Sequence, residues 1–228
     1  MAHHHHHEHH DFASANQAVF DQHAHHADHR PMAAEMVESL SNAILKAYPF
    51  DKEGTVVLDY ACGTGSISRR LAPHCKTLIG ADISQGMVDQ FNKGLQDDGT
   101  LSEKMRAVRA ELKGEETELE GMKFDLVLCT LAYHHIADIM ATTRILAFFL
   151  KPGGTLLVID TPALDMSAVP TDFVPTIAHK GGISEAAIKD AYDAAALRDF
   201  RCVAFENPHY SPDLPLPKSL FVATGVKH

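Results

Sequence analysis

The chain predicts an α/β fold built on a doubly wound parallel sheet, and three stretches carry that prediction. An apolar run, Val56-Val57-Leu58, meets Asp59 and Tyr60 and turns through Ala61-Cys62-Gly63-Thr64-Gly65 into a helix-forming stretch, Ser66 to Leu71. A second apolar run, Thr77 to Ala81, ends in another acid, Asp82, seventeen residues after Gly65. Strand, glycine turn, helix, and a second strand closed by an acid together make the first βαβ unit of a sheet that receives a nucleoside-bearing ligand. Gly63 and Gly65 tolerate dihedrals that a Cβ penalises and let the backbone approach a ligand. Asp82 is placed to accept hydrogen bonds from both hydroxyls of a ribose.

The remaining elements follow in order. Of 17 histidines, 11 precede Arg30. His3 to His7, His9 and His10 give residues 1–10 a tag-like composition, and this segment is expected to be disordered. His23, His25, His26 and His29 have the i, i+3 and i, i+4 spacings at which imidazoles share a metal. No carboxylate or cysteine completes a ligand set, so no metal site is expected. They read instead as the polar face of a helix over Phe12 to Asp28, with Phe12, Val19 and Phe20 turned inward. A second helix, Ala33 to Ala47, is apolar at Met36, Val37, Leu40, Ile44 and Leu45, and Pro49 ends it. A third strand is expected at Met105 to Arg109, a fourth at Lys123 to Cys129, a helix at Ile139 to Leu150 and a fifth strand at Thr155 to Asp160. Thr161 to Lys180, with three prolines, reads as an irregular connection of the kind that serves function. Ser184 caps a helix running to Ala196, and Phe200 to Phe205 and Leu220 to Val226 form two last strands around a proline-rich loop, Asn207 to Pro217.

Length and composition set limits. At 228 residues and 45% hydrophobic content the chain fits one domain of this class. The net charge of −10, with Arg69-Arg70 as a mere pair, lacks the basic patch of a nucleic-acid binder. No apolar run approaches a membrane span. Four scattered cysteines (Cys62, Cys75, Cys129, Cys202), without a C-x-x-C pair, read as reduced thiols of a cytoplasmic protein.

The glycine loop also separates cofactors. A dinucleotide fingerprint needs a third glycine where this chain has Ser68, and Asp59, four residues before Gly63, would repel a diphosphate. A carboxylate there suits a ligand with an ammonium or sulfonium group. The pattern Asp59-x-x-Cys62-Gly63-Thr64-Gly65 with Asp82 downstream resembles motif I of the class I S-adenosylmethionine (SAM)-dependent methyltransferases. The resemblance extends from Thr55 to Asp160. It includes Ala110-Glu111-Leu112, the segment Leu131-Ala132-Tyr133-His134-His135-Ile136-Ala137-Asp138, and Lys151-Pro152-Gly153-Gly154 before the fifth strand. Phe20-Asp21-x-x-Ala24 with Asp28 and Pro31 is similar to the N-terminal segment of many small methyltransferases, with Ala27 where the family has tyrosine.

That resemblance implies a Rossmann-like sheet of seven strands, the last antiparallel. Residues 11–50 would be a helical lid and residues 51–228 the cofactor-binding domain. SAM would be held by Asp59, Ala61, Cys62, Gly63, Gly65, Asp82, Ile83, Met87, Ala110, Glu111, Leu112 and Thr130, with Ile83 and Glu111 at the adenine and Thr130 near the methyl group. His134 and His135 follow the fourth strand, where an imidazole can take a proton from an acceptor, or can orient its loop. Tyr133 and Phe20 would meet the substrate, Tyr133 by stacking unless it simply packs. The implied activity is methyl transfer to a small molecule, in the manner of fungal secondary metabolism. Two other readings stand beside it: a methyltransferase-fold subunit working through a protein partner, and a histidine-rich metal-binding protein on this scaffold. The acceptor atom and the oligomeric state stay open at this level.

Overall fold

Burial on both faces explains why the central strands read as nearly unbroken apolar runs. The structure, a computed structural model, describes residues 11–29, 33–96, 99–207 and 218–228. Its strands are β1 (Val56–Tyr60), β2 (Thr77–Asp82), β3 (Met105–Arg109), β4 (Phe124–Thr130), β5 (Leu150–Asp160), β6 (Leu197–Glu206) and β7 (Ser219–Lys227). They form one seven-stranded sheet in the order β3-β2-β1-β4-β5-β7-β6. Strands β1 to β5 pair in parallel, and β7 runs antiparallel between β5 and β6, as the resemblance implied.

Successive side chains of a strand point to opposite faces, and here each face has its own core. Leu58, Val127, Leu156 and Val158 pack beneath α6 (Ile139–Phe149) and α7 (Glu185–Ala194) through Leu146, Phe149, Ile188 and Tyr192. Val57, Leu126, Leu128 and Leu157 face α2 (Ala33–Ala47), α3 (Ser66–Leu71) and α4 (Gln85–Lys93) through Leu40, Ile44, Leu71 and Phe91. The outer strand β6 lacks such cover on its far side, and Val203 there is 62% exposed.

Several expectations shift in detail. The first helix, α1, covers Phe12–His23 and tightens into a 3-10 turn at Ala24–His29. The buried residue of α1 is Asn16; the apolar Phe12, Val19 and Phe20 are only partly covered. Lys151-Pro152-Gly153-Gly154, expected as a turn before the fifth strand, lies within β5. The strand starts at Leu150 opposite Phe124 and absorbs the segment as a register shift, with Gly153 at φ +80°. Two helices were not foreseen, α4 and the short α5 (Gly99–Lys104). Ser84 caps α4 by accepting from the Met87 N–H at 3.1 Å. Residues 1–10, Pro31 and most of the proline-rich loop lie outside the described residues. Among the described residues, no helix is long and apolar enough to cross a membrane.

Candidate functional site

In the sheet order β1 and β4 are neighbours whose connections leave in opposite directions, and ligands of such sheets bind at that switch point beyond the carboxyl ends. Ala61, the first residue after β1, donates its N–H to Ala81 O at 2.8 Å and then takes a left-handed φ of 57°. The chain thereby leaves the sheet upward. Gly63 follows at φ +55°, and a Cβ placed on it meets nothing within 4 Å. Its N–H is held by Asp82 Oδ2 at 2.8 Å, while Asp82 Oδ1 accepts from the Ser84 N–H at 2.9 Å. Burial pushes the Asp82 carboxyl up, and these N–H donors pull it back.

Asp59 lies below the loop, 3% exposed, and accepts from the Ser68 hydroxyl at 2.5 Å. Burial raises its pKa to about 7; the Ser68 bond opposes the rise and Asp82 adds to it. Gly65 is required by packing. It sits at φ +82°, and a Cβ there would come within 2.3 Å of the Phe91 ring, so the glycine lets α3 pack onto α4. Cys62 lines the cavity, and burial raises its thiol pKa well above the ordinary value.

The β4 loop repeats the backbone device. Leu131 donates its N–H to Ile159 O at 2.8 Å and turns with φ 53°. A 3-10 turn, Tyr133–His135, then presents the two histidines. His134 is tied to Asp160, the last residue of β5 and 0% exposed, through its backbone N–H to Oδ2 at 3.1 Å and its Nδ1 to Oδ1 at 2.8 Å. Thr161 N–H donates to the same Oδ1 at 2.7 Å. A carboxylate only accepts, so Nδ1 carries the hydrogen; in the neutral form of the ring the lone pair is then at Nε2. His135 donates from Nδ1 to Thr176 O at 3.0 Å. Burial, then the neighbouring His134, lower its pKa to about 4 and hold it neutral. Tyr133 does not reach the cavity; it is 0% exposed in the core with its hydroxyl 3.0 Å from Thr143 Oγ1, so the expected substrate stacking gives way to packing.

Residues 11–29 roof both loops. Asp21 accepts from the Ser84 hydroxyl at 2.6 Å and the Gly86 N–H at 2.8 Å. Asp28 accepts from the hydroxyls of Thr64 and Ser66 at 2.5 and 2.7 Å and pairs with Arg69 at 3.4 Å. The Asn16 amide donates to the carbonyls of Phe12, His135 and Thr176. The segment after β5 closes the other side, where His23 meets Asp172 at 2.7 Å and Phe20 sits edge-on to His135 and Phe173. His25 lies 2.9 Å from Gln90. No group of three potential metal ligands occurs among the described residues.

Beneath this roof lies a cavity of about 1550 Å³. Of the expected cofactor residues, Asp59, Ala61, Cys62, Gly63, Met87 and Thr130 line it, together with His134, His135 and Phe20. Gly65, Asp82, Ile83, Ala110, Glu111 and Leu112 do not. Asp82 and Ile83 stand at the end of β2 and Ala110 and Glu111 beyond β3, on the flank next to Gly63, and Leu112 is buried in the core. Asp160 was missed from sequence; the available signal was an acid closing β5, as Asp82 closes β2. The residues fit a nucleoside carrying a cationic amino-acid tail. Open space lies over Gly63, an acid lies under the loop, and the buried Thr130 hydroxyl oxygen has no hydrogen-bond partner where it lines the cavity.

Comparison with known proteins agrees. Residues 57–154 match the methyltransferase domain family. An uncharacterized methyltransferase of Schizosaccharomyces pombe is 36% identical over 154 residues, covering 64% of this chain and 54% of that protein. Methyltransferase tpcH of Aspergillus fumigatus is 27% identical over 164 residues, covering 62% and 57%. The chain spans about half the length of the curated relatives it matches. Among solved structures, the N-methyltransferase NodS of Bradyrhizobium japonicum, in complex with S-adenosyl-L-homocysteine, has the same fold. Its TM-score is 0.66 at 16% identity, over 93% of this chain and 98% of that one. Residues 57–154 thus carry a methyltransferase domain, and the seven-stranded sheet around it has the class I SAM-dependent methyltransferase fold.

Proposed function

We propose that the protein transfers a methyl group from SAM to a small-molecule acceptor. The observation that carries this reading is the single cavity that joins the glycine loop after β1 to the histidines after β4. Its volume of about 1550 Å³ exceeds the roughly 300–1,000 Å³ of single-ligand pockets, which leaves space for a second molecule beside the cofactor.

When bound, SAM supplies an activated methyl carbon on a sulfonium. Asp82, Ile83 and Glu111 would hold the adenosine and Gly63 would admit the tail against its backbone. Asp59 offers the tail's positive charge a carboxylate that burial otherwise disfavours. The chain's main contribution is then alignment, with nucleophile and methyl carbon held in line and water kept out by residues 11–29. The roof also favours a small acceptor, because His23 of the roof pairs with Asp172 of the segment after β5, and both line the cavity. His134 is better suited than His135 to receive a proton, since His135 is held neutral by its surroundings. The four free cysteines are in keeping with a cytoplasmic enzyme.

The test is titration calorimetry of the full chain with SAM and with its demethylated product. Binding of both, weakened about tenfold to a hundredfold in Asp82→Asn through loss of a charge-assisted bond pair, is the expected result. Absence of binding to either ligand would overturn the proposal.

A further inference from the structure

We infer that Asp160 is a positioning residue for His134, and that the pair selects an acceptor hydroxyl of the phenol class on an apolar, ring-sized skeleton. The inference rests on the methyl-transfer reading above and deepens it. Three N–H donors converge on Asp160: His134 N, His134 Nδ1 and Thr161 N, at 3.1, 2.8 and 2.7 Å. A carboxylate so engaged fixes both the tautomer and the tilt of the ring, leaving Nε2 as an acceptor. His134 itself lines the cavity.

The surroundings choose the partner of Nε2. Beside His134 the cavity lining includes Leu131, Leu164, Val169, Phe173 and Ile177, with the orphan Thr130 hydroxyl and, on the same segment, Asp165 and Asp172. An ammonium acceptor would need a free carboxylate there, but Asp160 is fully buried with both oxygens occupied, Asp165 is engaged by Ser167 and Asp172 is paired with His23. A thiolate needs no base. A neutral hydroxyl needs one, and of hydroxyls a phenol, with a pKa of about 10, is the closest match to an imidazole. In the step, the phenolic proton passes to His134 Nε2 as the oxygen forms its bond to the methyl carbon. The carbon–sulfur bond breaks with its electron pair left on sulfur, giving a neutral thioether. The imidazolium then returns its proton to solvent.

The test uses the full chain, saturated with S-adenosyl-L-homocysteine, and 2-naphthol as the probe. In wild type, bound 2-naphthol should show a red-shifted absorption band from hydrogen bonding to an imidazole, and the His134 Nδ1–H should give a downfield, exchange-protected proton resonance. His134→Gln should abolish both. Asp160→Asn should abolish the resonance and weaken the band. An amide there can donate to Nδ1 and so stabilise the wrong tautomer, as when an amide replaces the aspartate of a serine-protease triad. Methylation of 2-naphthol should fall about a hundredfold or more in His134→Gln, as loss of a general base does, with S-adenosyl-L-homocysteine affinity within about threefold of wild type. A wild-type-like resonance and band in a folded Asp160→Asn would overturn the positioning role. If that variant does not fold, absence of the wild-type resonance or band, or their survival in His134→Gln, would overturn it instead. Failure of 2-naphthol to bind while S-adenosyl-L-homocysteine does would sink the phenol assignment alone. Failure of S-adenosyl-L-homocysteine to bind would sink the methyl-transfer reading and this inference with it.

Discussion

The loops after β1 and β4 are built alike and differ in what they present. In each, the first residue past the strand bonds to the neighbouring strand and then turns left-handed, Ala61 at φ 57° and Leu131 at φ 53°. In each, the acid that closes that neighbouring strand holds a loop N–H: Asp82 takes Gly63, and Asp160 takes His134. The difference is the side chain at the held position. A glycine there leaves open space for a ligand against the backbone; a histidine fills that place with an imidazole whose tautomer the same acid sets. One backbone device thus leaves open space against the backbone on one side of the switch point and presents an imidazole to the cavity on the other.

Substitutions at the two glycines of the β1 loop should produce the largest contrast. Gly65→Ala forces a Cβ at φ +82° to within 2.3 Å of Phe91. It should cost about 2–5 kcal/mol in urea denaturation, combining left-handed strain with overpacking. Gly63→Ala meets no neighbour and should cost only about 1–2 kcal/mol, yet cut cofactor affinity at least tenfold. Normal affinity in Gly63→Ala would mean that the open space is not where the cofactor lies, and the comparison of the two loops would fail.

A pH titration comes next in size. Asp59, with a pKa of about 7, is largely protonated in the unliganded protein below that pH. A cationic ligand favours the carboxylate, so binding expels a proton, and affinity should fall by up to about tenfold per unit as pH drops below 7. Asp59→Asn should flatten that dependence in calorimetry between pH 5.5 and 8. For folding the sign is opposite. The native state holds this proton more tightly than the unfolded chain, so the cost of Asp59 grows as pH rises from about 4 to about 7. Asp59→Asn should therefore raise Tm more at pH 8 than at pH 5.

The smallest effect belongs to the roof on the acceptor side. His23 and Asp172 form a half-exposed pair at 2.7 Å, and Asp172→Asn should cost less than about 1 kcal/mol. It should shift the acceptor KM by up to about threefold while cofactor affinity stays put. An equal change in both constants would show that the two halves of the cavity do not act separately.

The glycine-loop side of the cavity was legible in the chain because it is local. Asp59, Gly63 and Asp82 fall within one βαβ unit, where strand periodicity and a glycine turn dictate the geometry. Even there spacing could not distinguish Gly63, open to a ligand, from Gly65, pressed against Phe91 on another helix. Tyr133 misled for a similar reason: a residue beside two cavity histidines can still point into the core, and a 3-10 turn sends it there.

The acceptor side depends on distant pairs. His134 and Asp160 are 26 positions apart, and Asn16 reaches Thr176 across 160. Sequence by itself determined the sheet, its glycine loop and the acid that ends β2, because hydrophobic period and turn chemistry are short-range. Only the tertiary structure decided which histidine has a buried carboxylate behind it, which aromatic faces the cavity and how the roof is latched. Those outcomes follow from strand register and from hydrogen bonds between segments whose separation along the chain carries no periodic signal.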